Sequence, residues 1–559
     1  MRQITLGLGL LSAALMSTAA SAGTLGGVVN DNNGKPIKGV MVRLTNSDNV
    51  SESVFTNAKG AYNIATDMSG AITIRLRTPY FRDSHDKVEL SADASVKKDL
   101  TMSAMTDAVE ISDSLPAAYH FGSLPFEEGD DAAFNRYQFQ RDCLSCHQLG
   151  NAFTRVPRRA KGWAATIQRM HLYVGNFDKE LRDRRGEIFE QGFDGKPLTV
   201  RPEFPIDDDL QKAKIFEYPL LNRGVPHDAI AHPDSGMLYT VDQALHHISV
   251  TDPKTGKTEY IAQKGTLADK YYTGAPADNN LGQFGPSKRD GPHSLDLGND
   301  GKYYITNTGS TSIGVFNPNN NQWEPSHRLP SEYKGRYPHS IRVNKAGMVY
   351  FTMAGAEHVG RLDPQSGKFD IIALPNVKSG GISGGTQPYG IDINPTDDAM
   401  WYGRLFGDKI GRIDPVTLEV TEYDSPVRGP RRMHFDNKGI LWVTGYSEGN
   451  LARINVSKGF ESKVYDMPEY APGFRPAPYA LAVHPTTQEI WLNENMTDRM
   501  FRFIPSEERF VAYPIPLSGT YTRDTTFLPD GRVCSSNNPI PAPALEGGIL
   551  EIICIDTGA

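Results

Sequence analysis

An internal repeat constrains this chain more than any other feature. Seven segments pair a turn with a polar ring residue and an apolar strand: Pro226-His227, Pro292-His293, Pro338-His339, Pro388-Tyr389, Pro430-Arg431, Pro478-Tyr479 and Thr522-Arg523. Their ring residues are spaced 66, 46, 50, 42, 48 and 44 positions apart. Each is followed by a turn such as Asp436-Asn437-Lys438-Gly439, a second strand such as Met348 to Thr352, a third ending near Asp414-Pro415, and a fourth resembling Thr421 to Tyr423. Four short strands per repeat of this length cannot bury a face alone, and radial stacking into a β-propeller solves that problem. The expected fold is mainly β, with a seven-bladed β-propeller over 213–559. A fourth-strand pattern at Ile215 to Pro219 precedes the first blade, and the last blade stops after a third strand at Ile552 to Asp556. The early strand is therefore expected to complete the last blade. Cys534 and Cys554 fall on neighbouring strands there, either as a disulfide or as two buried thiols.

Equivalent positions in a radial repeat converge on one funnel. His227, His293, His339, Tyr389, Arg431, Tyr479 and Arg523 are thus expected together at one end of the axis, with His227, His293, His339 and Arg431 as catalytic candidates and Tyr389, Tyr479 and Arg523 lining a substrate funnel. Three readings stay open. The histidines hold a metal ion with an open position, Arg431 and Arg523 recognise a substrate carboxylate, or the ring only ties neighbouring blade turns together. His246, His247, His358 and His434 lie off the ring register and read as packed or solvated. The insertion from Gln263 to Asp290 is either a lid or plain surface.

Upstream lies Cys143-Leu144-Ser145-Cys146-His147. Two thiols two residues apart followed by histidine is the pattern that attaches a c-type haem, with thioethers to the vinyl groups and the imidazole as proximal iron ligand. Structural zinc is the alternative, yet no second C-x-x-C or paired-histidine cluster follows, and no βαβ pattern supports a thioredoxin-like pair. The surrounding segment, 127–212, reads as helical at Phe134 to Gln148, Gly162 to Tyr173 and Asp178 to Gln191, a short cytochrome c domain. Trp163, Ile167 and Met170 are spaced as in a W-x-x-x-[VI]-x-x-M segment that resembles short cytochrome domains, and this resemblance implies Met170 as the distal ligand, with His171 its rival and core packing the bland alternative. Arg158, Arg159 and Lys161 are either propionate partners or a solvated face.

The compartment fits covalent haem. Arg2, the apolar run Ile4 to Met16 and the small residues Ala20-Ser21-Ala22 read as a signal peptide, 1–22, directing the chain to the periplasm. That run is too short to span a bilayer, and no membrane span is expected. A net charge of −8 gives no reason to propose nucleic acid as a partner. From 23 to 104 short β segments such as Gly39 to Leu44 and Ala71 to Leu76 alternate with turns at Asp31 to Gly34 and Asn57 to Gly60, which reads as a small β-sandwich. Residues 105–126 read as a linker.

Three resemblances extend these readings. Gly27-Val28-Val29, Gly34-Lys35-Pro36-Ile37-Lys38-Gly39-Val40 and Gly60-Ala61-Tyr62-Asn63-Ile64 resemble the carboxypeptidase regulatory-like, transthyretin-like domain, which implies an accessory role. Trp163, Ile167 and Met170 resemble a W-x-x-x-[VI]-x-x-M segment of short cytochrome domains in quinohaemoprotein dehydrogenases. The blade starts and Ile410 to Pro415 resemble the virginiamycin B or streptogramin lyase family, which implies a blade-start catalytic histidine and acidic residues holding magnesium. The positions where that family places its acids hold Val225, Gly291, Tyr337, Val241, Asn307 and Met353 here, and Asp242 and Glu494 are the nearest acidic residues. The sequence therefore favours a periplasmic oxidoreductase. In that reading one covalent haem c serves a small-molecule substrate and a periplasmic electron-transfer partner. A C–O lyase with an accessory cytochrome, or an electron-transfer or binding protein without its own site, are the alternatives.

Overall fold

The computed structural model describes residues 23–559 apart from 128, 130–133, 146, 174–175, 223, 264–289, 334–335, 381–384, 540–545 and 559. Residues 1–22, read from the sequence as a signal peptide, Cys146 and most of the long insertion lie outside the described residues. The chain is mainly β. Six four-stranded antiparallel sheets follow one another from Pro226 to Pro514. A further meander, Thr522–Phe527, Val533–Asn537 and Glu551–Asp556, takes its fourth strand from Lys214–Pro219, which pairs antiparallel with Glu551–Asp556. The innermost strand of each unit lies against that of the next, and Thr522–Phe527 lies against Pro226–Ala231. The architecture is propeller-like.

Every innermost strand has the same irregularity. Its first residue pairs with the end of the second strand, and the register then shifts across the ring residue, as between Pro226 and Ala229, Pro430 and Met433, or Thr522 and Thr525. Such a bulge turns a side chain out of the sheet, here at His227, Arg431 and Arg523. Proline suits six of these starts because a first strand residue need donate no ladder hydrogen bond. Cys534 and Cys554 face each other across adjacent strands and form a disulfide, with Cα atoms 4.0 Å apart.

The N-terminal unit packs two sheets around Leu25, Val29, Val42, Leu44, Ile64, Ile72, Ile74 and Leu76. Alternation of buried and exposed residues along Ala61–Thr66 is what one buried face requires. The unit is not a separate bead. Its strand Ser51–Phe55 pairs antiparallel with Lys214–Pro219, so one eight-stranded sheet runs from the last blade into the sandwich. The edge that a blade would otherwise present is thereby covered. Arg43 grips the fully buried Glu217 with two hydrogen bonds, at 2.7 and 3.0 Å.

Residues 105–126 are not an extended linker. They hold helices α1 (Ala108–Ser114), capped by Asp107, and α2 (Ala117–Gly122), with Ala117, Ala118, Tyr119 and Phe121 buried. The apolar residues win because they dock on the sixth blade, where the Ala118 amide donates to the Met496 carbonyl at 2.8 Å. Helices α3 (Arg136–Cys143), α4 (Ala160–Tyr173) and α5 (Lys179–Gly192) follow. Gly186 lets α5 approach α4 closely, since a Cβ there would lie 2.7 Å from the Ala160 carbonyl oxygen. Phe139, Leu144, Trp163, Ile167, Ile188 and Phe189 share one apolar cluster with Tyr389, Tyr446, Tyr479 and Tyr521 of the blades.

Candidate functional site

All seven ring residues are buried, and neighbours among them touch. Ring centroids of His227 and His293 lie 3.6 Å apart, those of His293 and His339 4.1 Å, and those of His339 and Tyr389 3.9 Å. The Tyr389 and Tyr479 hydroxyls are 3.3 Å apart. Arg431 donates to the Tyr389 hydroxyl at 2.8 Å, and its guanidinium lies 4.0 to 4.6 Å from the ring centres of Tyr479, Tyr446 and Tyr389. Arg523 donates to the Tyr479 hydroxyl at 3.0 Å and to Asn538 Oδ1 at 2.7 Å.

One residue further along the same strands is a second, ionic layer. Asp228 accepts from His227 Nδ1 at 2.9 Å and from Arg432 Nη2 at 3.2 and 3.3 Å. Arg432 also donates to Ser340, whose hydroxyl lies 2.9 Å from His339 Nδ1. Burial opposes the charge on Asp228, but Arg432 and His227 hold its carboxyl well below the usual range. Burial and the arginines lower the imidazoles as well: His227 falls to about 4, and His293 and His339 fall well below their ordinary value. All three are neutral at pH 7, the form that binds metals or accepts protons. Donor atoms of His227, Asp228 and His293 lie within 4.8 Å of one another, and His293 Nδ1 is buried without a hydrogen-bond partner. This cluster fits a divalent ion such as zinc, with Asp228 shared with Arg432.

Leu144 and Ser145 of the C-L-S-C-H segment meet the ring and its loops. Tyr446 and Tyr521 both donate to the Leu144 carbonyl, at 2.5 and 2.6 Å, and Arg431 donates to the Ser145 carbonyl at 3.2 Å. Gln148 donates to the Thr520 carbonyl at 2.8 Å, and Gln140 to the Tyr446 carbonyl at 2.7 Å. Cys143 closes α3 with a half-buried thiol, and burial pushes it up to about 11. Its partner Cys146 is outside the described residues. His147 Nδ1 lies 2.7 Å from the Gln148 carbonyl. That contact makes Nδ1 the donor and leaves the lone pair on Nε2.

The other expected residues are placed as follows. Met170 is 38% exposed on α4, whereas His171 is buried and accepts from Arg185 Nη1 at 3.2 Å. Arg185 is itself buried and paired with Asp142 at 2.5 Å, one residue before Cys143. Arg158 lies over the Trp163 ring at 5.1 Å, Arg159 pairs with Glu190 at 3.3 Å, and Lys161 is exposed. Asp242 and Glu494 serve loops: Asp242 accepts the amides of Val225, Ala244 and Leu245, and Glu494 those of Ala477, Met496 and Thr497. His246 likewise accepts the Gly291 amide at 3.0 Å.

Sequence reading missed Asp228 and Arg432, although their signal was available one position after the ring. It also missed Tyr446 and Tyr521, which stand on loops beside the blade starts, Tyr521 in the register of Val225, Gly291 and Tyr337. Among known proteins, the Virginiamycin B lyase family matches residues 285–473 and the Carboxypeptidase regulatory-like domain residues 24–103. No curated protein matches. Among solved structures, a selenomethionine-substituted virginiamycin B lyase from Staphylococcus aureus is 20% identical, covering 61% of this chain and 99% of its own, with a TM-score of 0.48. A streptogramin B lyase is 20% identical, covering 62% and 97%, with a TM-score of 0.49. Hydrazine synthase from Kuenenia stuttgartiensis is 14% identical, covering 60% and 96%, with a TM-score of 0.45. The chain thus carries a carboxypeptidase regulatory-like domain and, over part of its blades, a Virginiamycin B lyase family domain.

Proposed function

We propose that this chain is an exported, periplasmic haem c oxidoreductase, built on a seven-bladed ring, in which a small-molecule substrate reacts at the end of the axis. The observation that carries the reading is the contact between the haem-attachment loop and the ring: Leu144 and Ser145 accept hydrogen bonds from Tyr446, Tyr521 and Arg431. A haem-bearing loop with an unrelated docking role has no need to touch the candidate reaction residues. The cyclic contact of innermost strands supports the seven-bladed count.

The residues present fit a c-type haem. Cys143 offers a thiol beside an apolar cluster, and His147 keeps Nε2 for the iron, because Nδ1 is engaged by the Gln148 carbonyl as ligating histidines require. Cys146 supplies the second thioether. When bound, the group supplies one-electron chemistry and a route to a periplasmic electron-transfer partner. The chain's own residues bind and orient: Arg431 and Arg523 present guanidinium groups to an anionic substrate, and the neutral imidazoles of His227, His293 and His339 accept protons or hold a metal ion. The aromatic packing of Tyr389, Tyr479 and Tyr521 excludes water between the ring and the loop.

The family match over 285–473 favours a lyase as the second reading. Against it, the carboxylates nearest the expected magnesium positions are occupied by backbone amides. The deciding experiment mixes oxidised, purified holoprotein with candidate periplasmic small molecules and follows the haem bands. Substrate-dependent reduction that is lost in Arg431→Ala and His293→Ala supports the oxidoreductase. Opening of a streptogramin-type lactone with no change at the haem replaces it with the lyase, and no response to either leaves an electron-transfer or binding protein.

A further inference from the structure

The layer of the ring nearest the haem loop has a charge problem. Arg431 is fully buried and Arg523 nearly so, and among the described residues neither has a carboxylate within ion-pair distance. Arg432, one position along, differs in being paired with Asp228. A buried guanidinium without a counter-ion costs several kcal/mol, and cation–π contact with tyrosines offsets only about 1–2 of them. Arg431 Nε and Nη1 also have no hydrogen-bond partner, although both are buried. Something anionic belongs between these two groups.

Tyr479, an ionisable side chain, contacts both. Its hydroxyl accepts from Arg523 Nη1 at 3.0 Å, its ring lies 4.0 Å from the Arg431 guanidinium, and the Tyr389 hydroxyl is 3.3 Å away. The hydrogen-bond directions are consistent with an oxygen that has no proton. Arg431 donates to Tyr389, leaving the Tyr389 O–H to donate to Tyr479, while Arg523 donates from the other side. The remaining groups facing it are Arg432, Asp228, Tyr446 and Tyr521. We propose that Arg431 and Arg523 share one anion position, filled by the Tyr479 phenolate in alkaline solution and by a small carboxylate substrate entering between these guanidiniums, so that binding takes up one proton wherever Tyr479 is ionised. This rests on the axis end being the substrate site, as proposed above.

The balance is simple. Above the ionisation of Tyr479 the free site carries two guanidinium charges and one phenolate. The bound site carries the same two charges, one carboxylate, and a neutral phenol that has gained a proton from solvent. Burial pushes the Tyr479 phenol up, but Arg523, Arg431 and Arg432 outweigh it and bring the group down to about 8. Tyr389 and Tyr521 go the opposite way, well above 10, with burial the main cause. Only one tyrosine of the cluster is thus set to ionise early.

The test is a spectrophotometric titration near 295 nm, where phenolate absorbs, on the full chain with acetate as the anion probe. One tyrosine should ionise about two pH units before the others, and its step should vanish in Tyr479→Phe and move to higher pH in Arg523→Gln. Saturating acetate should move the same step to higher pH, with acetate affinity falling about tenfold per pH unit above it. Simultaneous ionisation of all tyrosines, or an early step that survives in Tyr479→Phe, overturns the phenolate. An early step indifferent to acetate and to other small carboxylates overturns the displacement. Far-ultraviolet dichroism confirms that the variants fold. The titration needs no haem turnover, so its failure is distinct from failure of the oxidoreductase reading.

Discussion

Tyr446 and Tyr521, on loops of the fifth and seventh repeats, place their hydroxyls on one acceptor, the Leu144 carbonyl next after Cys143 in the C-L-S-C-H sequence. A carbonyl has two lone pairs, and both are used here. A loop read as part of one domain is thereby fixed by side chains of another.

The first prediction follows from that pairing. Tyr446→Phe or Tyr521→Phe alone removes one hydrogen bond and should cost about 1 kcal/mol in urea unfolding. The double variant leaves a buried carbonyl without a donor and should cost about 2–3 kcal/mol. Hydrogen exchange should then rise in α3 and the C-L-S-C-H loop while the blade strands stay protected. Unchanged exchange in α3 would show that apolar packing alone seats the loop.

Covalent attachment is the second. Denatured holoprotein should keep its haem through acid extraction, and Cys143→Ala combined with Cys146→Ala should lose it. The distal ligand is read on the same protein. Met170→Ala should abolish the sulfur-to-iron band at the red end of the visible spectrum. His171 is turned towards Arg185 and Asp142 in this structure, so His171→Ala should leave that band in place. The reverse pattern moves the ligand to His171.

How much was legible depended on periodicity. The blades, the ring and the early strand Lys214–Pro219 that completes the last sheet were readable because each repeats a pattern whose spacing fixes its place. The relation between Ser51–Phe55 and Lys214–Pro219 was not, since an edge strand carries no sign of which edge it will meet. The two helices in 105–126 escaped because neither is long enough to show a helical period, and their stability comes from Tyr119 and Phe121 packing on other elements. The structure brings the ring residues together, yet their burial was not expected, because a repeat shows which positions converge without showing how closely their side chains pack.

A disulfide test comes third. Cys534 and Cys554 close a loop with a sequence separation of 20, for which chain entropy gives about 3 kcal/mol of stabilisation. The pair lies beside the strand that joins both ends of the propeller-like region, so Cys534→Ser with Cys554→Ser should lower the unfolding midpoint and expose Lys214–Pro219 to proteolysis first. Equal resistance in the variant would show that sheet pairing alone holds the closure.

Acid sensitivity is the fourth. His120 is buried, with Nε2 2.9 Å from the Ser112 carbonyl, and burial together with Arg155 brings it down to about 4. The unfolded chain binds a proton near pH 6.5 while the folded one does not until about 4. The unfolded state therefore gains protons first, and stability falls as pH drops from 6.5 to 4, by about 1.4 kcal/mol per unit for this residue. Urea unfolding at pH 7 and pH 5 should show a smaller loss in His120→Gln than in the parent. Equal losses would assign the acid sensitivity to other groups.

The ionic layer under the ring gives the last prediction, because it separates a metal site from a structural pair. Asp228 binds Arg432 with both oxygens and also lies among the atoms able to hold a cation with His227 and His293. Removing its charge by Asp228→Asn leaves a buried guanidinium short of a partner, and the expected cost is about 3–5 kcal/mol. His293→Ala leaves that pair intact and takes away the imidazole whose Nδ1 has no partner, so its stability cost should be smaller. Elemental analysis then decides. One non-haem metal ion per chain, lost in both variants, identifies His227, Asp228 and His293 as ligands. A parent protein free of such metal, with only Asp228→Asn destabilised, makes Asp228 and Arg432 a buried pair that orients His227 and leaves the histidines as acid–base groups.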